Sequence, residues 1–215
     1  MVSVAGRPFL EWVVRYLARQ GIRKVILSTG HLAGVIEAHF HNQPVPCVLT
    51  RCIAETQPLG TAGGFLNAVR LSGDAPTAWL VLNGDSRVFA GLAEVACELH
   101  DPKVGGVVVG CAVPDASRYG ALAIGPRGEL RGFAEKRPGK GVINAGIYLL
   151  RDSLVRELGG TPPLSFERDI FPQLIQRGVL LKASAVQAPF LDIGTPESLR
   201  QAQSFVEEHR AQFQG

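Results

Sequence analysis

Ala78-Trp79-Leu80-Val81-Leu82 runs without a charged side chain straight into Asn83-Gly84-Asp85, and that abrupt change limits the folds open to the chain. A short apolar run bounded by turn residues predicts a buried strand, and an open α/β sheet places its ligands just beyond the carboxyl ends of such strands. Asp85 is then a candidate ligand for a metal or substrate at a strand end. The competing reading is that Asn83, Gly84 and Asp85 only make the turn, since all three suit one for local backbone reasons.

Lys24–Thr29, Val45–Ile53, Val104–Val109, Ile143–Leu150 and Val179–Val186 are further strand-like runs, with Pro46 arguing for an edge or a late start in the second. Helical periodicity fills the gaps: Leu10, Val13, Val14 and Leu17 repeat on one face up to Gln20-Gly21, Ala33–His41 and Ala90–His100 follow the same rule, and Pro196–His209 closes the chain. Thr61 reads as the cap of a helix through Phe65, Leu66, Ala68 and Val69, Ser165 caps Phe166–Gln176, and Asp152–Leu158 is a short helix. This alternation predicts an α/β protein with a mostly parallel sheet covered on both faces. After Gly110 the pattern loosens, and Tyr119–Ile124 and Leu130–Ala134 flank Gly125-Pro126-Arg127-Gly128 as a hairpin.

At 215 residues, 46% hydrophobic and 19% charged, the chain has the length and composition of one folded domain and not of a disordered segment. No apolar stretch is long enough to span a bilayer, and Arg7, Glu11 and Arg15 interrupt any secretion-type leader. The net charge of +3 is spread along the chain, which suits small phosphorylated substrates better than nucleic acid. Cys47, Cys52, Cys97 and Cys111 lack paired metal or redox spacing and read as buried thiols, so a cytoplasmic, reducing location is expected.

Four stretches could carry chemistry. Leu59-Gly60-Thr61-Ala62-Gly63-Gly64 puts small residues at a helix start, where backbone N–H groups can hold an anion or the polar edge of a base, or where the helix simply packs closely on a strand. Glu135-Lys136 beyond an apolar run could share a polar phosphorylated substrate, or be a solvated turn. Asn144-Ala145-Gly146 could offer amide hydrogen bonds, against a turn reading. Leu191-Asp192-Ile193-Gly194-Thr195-Pro196 repeats the apolar-run-to-aspartate logic, and helix capping explains Thr195 but not Asp192. Two carboxylates from distant strands suit Mg²⁺, a hard ion that takes one or two protein oxygens plus substrate phosphates.

Val4–Leu10, Pro58–Gly63, Val81–Asp85, Phe133–Lys136, Asn144–Gly146 and Leu191–Pro196 resemble, in that order, the motifs of sugar-phosphate nucleotidyltransferases, nearest to the D-glycero-α-D-manno-heptose 1-phosphate guanylyltransferases, with Ser165–Asp169 alike as well. The resemblance implies a Rossmann-like three-layer α/β/α fold over residues 1–215, with a sugar-binding half from about residue 111. It implies an Mg²⁺-dependent enzyme that joins a sugar 1-phosphate to an NTP, GTP in the nearest relatives, and releases pyrophosphate. Asp85 and Asp192 would be the metal-binding aspartates, Leu59, Gly60 and Thr61 would meet the nucleotide, Gly120, Glu135 and Asn144 the sugar, and Lys136 the sugar phosphate. Mannose 1-phosphate or a uridylyl or thymidylyl donor are alternatives, as is a catalytically degenerate nucleotide-sugar binder. A strand and a Gly-x-Gly-Thr-Arg loop that the family carries before the Met1–Val4 segment are absent from this sequence. The expectation is therefore an N-terminally incomplete fold that is feeble as a transferase and inclined to form a homo-oligomer through an uncovered surface.

Overall fold

The computed structural model describes residues 1–134 and 138–213, so Glu135 and Lys136 lie outside the described residues. In chain order the first elements are β1 (Ser3–Val4), β2 (Arg7–Pro8), α1 (Phe9–Arg19), β3 (Lys24–Thr29), α2 (Ala33–Asn42), β4 (Leu49–Ala54), α3 (Gly60–Ser72), β5 (Ala78–Leu82) and β6 (Ser86–Val88). Then come α4 (Leu92–Cys97), β7 (Val104–Val113), β8 (Ala121–Ile124), β9 (Leu130–Ala134), β10 (Gly141–Arg151) and α5 (Asp152–Val155). A π-helical turn (Phe166–Ile170) leads into α6 (Phe171–Gln176), and β11 (Leu180–Val186), β12 (Phe190–Asp192) and α7 (Pro196–Glu208) follow. These elements fall into two compact units, one of Met1–Asp74, Gly84–Arg87 and Leu191–Gly215, the other of Ala75–Asn83 and Val88–Phe190.

In the first unit β3 and β4 pair in parallel through the α2 crossover, with Val25 opposite Thr50 and Ile53 opposite Ser28. Val14, Leu27, Phe40, Val45 and Val48 form one core cluster there, joined by Leu10, Val25 and Ile36. Each such side chain contributes about 1.5–3 kcal/mol on full burial. The periodic face read for α1 is the buried one, since Trp12, Val13, Val14, Tyr16 and Leu17 all point inward. Trp12 Nε1–H donates to the Val4 carbonyl at 2.8 Å, and its ring meets Phe213 edge-on at 5.4 Å. Arg87 is buried with its guanidinium 3.9 Å from the centre of the Tyr16 ring, and the lost hydration lowers its pKa to about 10. The strand expected from Val45 begins only at Leu49, because Pro46 removes a ladder donor and Cys47 sits at φ 62°. Cys111 alone of the four thiols is buried; Cys52 is half-buried and Cys47 and Cys97 are exposed, all four free, which corrects the expectation of a buried set.

Glu11 is the charged side chain that ties α1 to α2. It is 1% exposed, takes Arg7 Nη1 at 2.6 Å and Arg15 Nε at 2.8 Å on Oε1, and has His39 Nε2 at 2.9 Å from Oε2. Burial pushes its carboxyl up, but the hydrogen bonds from Arg15, Arg7 and His39 outweigh burial and hold it below the ordinary 4.5. A depressed carboxylate pKa contributes stability that is complete above the unfolded-state value and is lost as pH falls through the folded value. E11Q is therefore expected to lose about 2–4 kcal/mol at pH 7, because it strands partly buried cations, and much less at pH 3. Urea melts of both proteins at the two pH values check this, and equal losses at both would refute it.

In the second unit a six-stranded sheet runs β11-β7-β10-β8-β9, with β5 also paired to β10. β5, β7 and β11 share one direction, and β10 is inserted antiparallel to β5, β7 and β8. This sheet is thus mixed: parallel pairing, as the alternation predicts, holds here for β7 with β11 and, in the separate two-stranded sheet of the first unit, for β3 with β4. β10 reverses because the β8–β9 hairpin, not a helical crossover, delivers the chain to it. Phe133, Tyr148, Phe166 and Phe171 pack ring on ring at 5.0–5.7 Å between centroids, seating α6 and the turn before it. Among the described residues no helix is long and apolar enough to cross a membrane.

Candidate active site

Two of the aspartates singled out in the sequence meet in the first unit. Asp85 lies after β5 and immediately before β6, Asp192 ends β12, and β6 and β12 pair as a two-stranded ribbon. The Ile193 N–H donates to the Asp85 carbonyl at 2.9 Å, which fixes the two strand ends side by side, and the Gly194 N–H donates to Asp192 Oδ1 at 2.8 Å. Asp85 reaches solvent, yet loss of surrounding water pushes its carboxyl above 3.8, and the like charge of Asp192 pushes it further; a hydrogen bond from its own backbone opposes both. Two adjacent carboxylates are a donor set that a hard divalent cation takes, with remaining positions left for other oxygens. Among the described residues no group of three or more His, Cys, Asp or Glu side chains is gathered for a metal.

The small-residue stretch starts α3 in the same unit. Helix α3 begins at Gly60, so Thr61 lies inside it and does not cap it, contrary to the sequence expectation. The end is held instead by Glu55, whose Oε2 accepts the Leu59 N–H at 3.1 Å. Ser28 Oγ on β3 lies 3.1 Å from both Glu55 Oε1 and the Gly64 carbonyl oxygen, so its hydroxyl can serve either. Nothing in the turn-rich Glu55–Gly64 segment marks Glu55 for this, because its partner Ser28 is 27 residues away on another strand. The one available signal is a carboxylate five residues ahead of a glycine helix start.

Gly64 is glycine because of that carboxylate: a Cβ there would lie 2.3 Å from Glu55 Oε1 and 3.1 Å from Ser28 Oγ. G64A is expected to displace Glu55 from the Leu59 N–H and cost about 1–3 kcal/mol, read as a lowered urea midpoint. An unchanged midpoint would show that Glu55 does not brace this helix.

Gly120 and Asn144 fall in the second unit and are brought together, the Asn144 N–H donating to the Gly120 carbonyl at 2.9 Å. The Asn144 side chain also meets Tyr148, which sequence reading passed over, and Glu167, which it placed only at a helix start in the Ser165–Asp169 stretch. Glu135 and Lys136, the remaining expected contacts, lie outside the described residues.

This order of strands and helices is a nucleotidyltransferase fold of the mixed α/β kind. The chain belongs to the nucleotidyl transferase family, whose model matches residues 1–209. It is 30% identical over 198 residues to the D-glycero-alpha-D-manno-heptose 1-phosphate guanylyltransferase of Campylobacter jejuni, covering 92% of this chain and 85% of that protein. It is 31% identical over 202 residues to the mannose-1-phosphate guanylyltransferase of Mycobacterium tuberculosis, covering 92% of this chain and 55% of that protein, so it spans about half the length of that relative. The crystal structure of HddC from Yersinia pseudotuberculosis complexed with GMP-PN superposes with a TM-score of 0.85 at 30% identity, over 95% of this chain and 88% of that one.

Proposed function

We propose that this protein transfers a guanylyl group from GTP to a sugar 1-phosphate of the manno type, heptose or mannose, and releases pyrophosphate. The observation that carries the reading is the pairing of Asp85 with Asp192 beside one backbone hydrogen bond, in the unit that also holds Leu59, Gly60 and Thr61. Guanine and the manno sugar are supported by the relatives' activities, two guanylyltransferases at 31% and 30% identity. Cytoplasmic residence follows for an enzyme that draws on nucleoside triphosphates.

In this reading the sugar phosphate oxygen attacks the α-phosphorus in line, the new P–O bond forms as the α–β phosphoanhydride bond breaks, and pyrophosphate carries away the electron pair. Leu59 and Gly60 present backbone groups to the base and ribose, and the start of α3, braced by Glu55, keeps them in place. Thr61, inside the first turn of α3, stands with them on the nucleotide side. Asn144, Gly120 and Glu135 orient the sugar hydroxyls, and Lys136 neutralises the sugar phosphate so that it can approach a polyanion. Asp85 and Asp192 would hold Mg²⁺, which offsets the charge that grows on the phosphoryl oxygens. The donor chemistry fits the ion, since burial and the charge of Asp192 disfavour the ionised Asp85 carboxyl, and a divalent cation beside it offsets both.

The test is pyrophosphate release measured with GTP, UTP and dTTP, each against mannose 1-phosphate and D-glycero-α-D-manno-heptose 1-phosphate, with Mg²⁺ and with a chelator. GTP turnover that the chelator abolishes is the expected result. Tight binding of GTP and GDP-sugar with no turnover would favour a nucleotide-sugar binder, and no response to any pair would end the proposal.

A further inference from the structure

Glu167 is half-buried in the π-helical turn Phe166–Ile170, whose wide winding is marked by the Ile170 N–H reaching the Ser165 carbonyl at 3.1 Å. Single π turns of this kind recur where a helix must aim one side chain at a site. Here the turn aims Glu167 at β10. Its Oε1 accepts the Tyr148 hydroxyl at 2.7 Å and lies 3.2 Å from Asn144 Nδ2, while its Oε2 accepts the Ser165 hydroxyl at 2.8 Å. Asn144 Nδ2 is also 2.8 Å from the Tyr148 oxygen, and Asn144 Oδ1 accepts the Gly146 N–H at 3.1 Å.

We infer that Glu167 is a positioning residue of the sugar subsite, setting the Asn144 amide so that one N–H and one lone pair face a sugar hydroxyl pair. The inference rests on the reading of Asn144 as a sugar contact. The geometry supports it in three steps. The Gly146 N–H selects the oxygen end of the amide and fixes which way it is flipped. Asn144 Nδ2, the Tyr148 oxygen and Glu167 Oε1 form a tight triangle, so a single N–H of Asn144 faces both acceptors. The second N–H and the second lone pair of Oδ1 then have no partner among the described residues, and a hydroxyl that both donates and accepts would satisfy them.

Tyr148 cannot hold the amide in this pose alone. It is buried, with its ring 5.0 Å from both Phe166 and Phe171, which fixes where its hydroxyl oxygen sits but does not by itself set the direction of its hydrogen. Glu167 takes that hydrogen and leaves the Tyr148 oxygen as an acceptor for Asn144. Ser165 in turn holds the far carboxylate oxygen, and its own N–H is held by Asp169 Oδ2 at 2.7 Å. The chain of contacts thus runs from the helix start to the one amide that faces the ligand.

The test titrates mannose 1-phosphate and, separately, GTP with Mg²⁺ into the wild type, E167A, E167Q and Y148F by calorimetry, with a melting curve for each. E167A is expected to bind mannose 1-phosphate about tenfold or more weakly and GTP within about twofold of wild type, while E167Q, which keeps an acceptor oxygen and the side-chain length, recovers to within about threefold. A wild type that binds both ligands and an E167A variant with unchanged mannose 1-phosphate affinity would overturn this inference alone. A wild type that binds neither ligand would overturn the proposed function, and this inference with it. Should E167A fail to fold, Y148F decides: sugar-phosphate binding weakened severalfold with GTP binding intact supports the inference, and wild-type binding of both ligands overturns it.

Discussion

D85N is expected to lower nucleotidyl transfer by about 10²- to 10³-fold, or more, without destabilising the folded chain. The carboxylate that the reaction needs is one that the fold holds at a cost. Loss of water and the charge of Asp192 raise the Asp85 pKa above 3.8. For a raised carboxylate the sign is the reverse of the usual acidic case: stability is complete below the unfolded-state value and falls as pH climbs through the folded one. At neutral pH the amide removes that cost, so the D85N melting midpoint should equal or exceed that of the wild type measured without divalent cation. D192N should lose turnover to a similar extent, and the double variant should lose little more than the worse single one, because two ligands of one ion act as a unit. Pyrophosphate release under saturating substrates, with melts in parallel, checks both halves. Near-wild-type turnover in either single variant would remove these carboxylates from the mechanism.

The two aspartates were legible in the sequence because each ends an apolar run and is followed or preceded by a glycine, Gly84-Asp85 and Asp192-Ile193-Gly194. A strand that stops abruptly in a carboxylate signals its own position, and the structure joins the two ends through one backbone hydrogen bond. The caps at Ser165 and Thr195 were legible for a similar reason, since each contact is local: Ser165 Oγ accepts the Arg168 N–H, and Thr195 Oγ1 accepts the Ser198 N–H. What could not be read was every group whose role depends on a partner far along the chain. Glu11 enters the sequence reading only as a charge that breaks a leader, yet Arg7, Arg15 and His39 make it a buried junction. Glu55 reads as turn material, and the cap expected of Thr61 is supplied by Glu55. The sequence does not show the reversal of β10, because an apolar run carries no arrow; only the hairpin before it hints at the direction.

The same limit applies to Gly146, which the sequence puts in a strand-like run and a possible amide site without showing what it packs against. β10 slips register against β7 between Asn144 and Ile147, and Gly146 occupies that bulge at φ 68°. A Cβ there would lie 2.7 Å from Asn83 Nδ2, 2.9 Å from its Cγ and 3.0 Å from its Cβ. Asn83 cannot retreat easily, because its N–H donates to the Gly146 carbonyl at 2.8 Å. G146A is therefore expected to lose about 2–5 kcal/mol, from left-handed backbone in a residue with a Cβ and from overpacking against Asn83. Its mannose 1-phosphate affinity should also fall at least about tenfold at temperatures where it stays folded, because the Gly146 N–H orients Asn144. Gly178 separates the two sources of stability loss: it has φ 76° but nothing within 4 Å of an added Cβ. G178A should then lose only the backbone share, about 1–2 kcal/mol, with sugar-phosphate binding unchanged. Equal urea midpoints for G146A and G178A would mean that the bulge yields to the extra carbon, and that Asn83 does not lock the strand that presents Asn144.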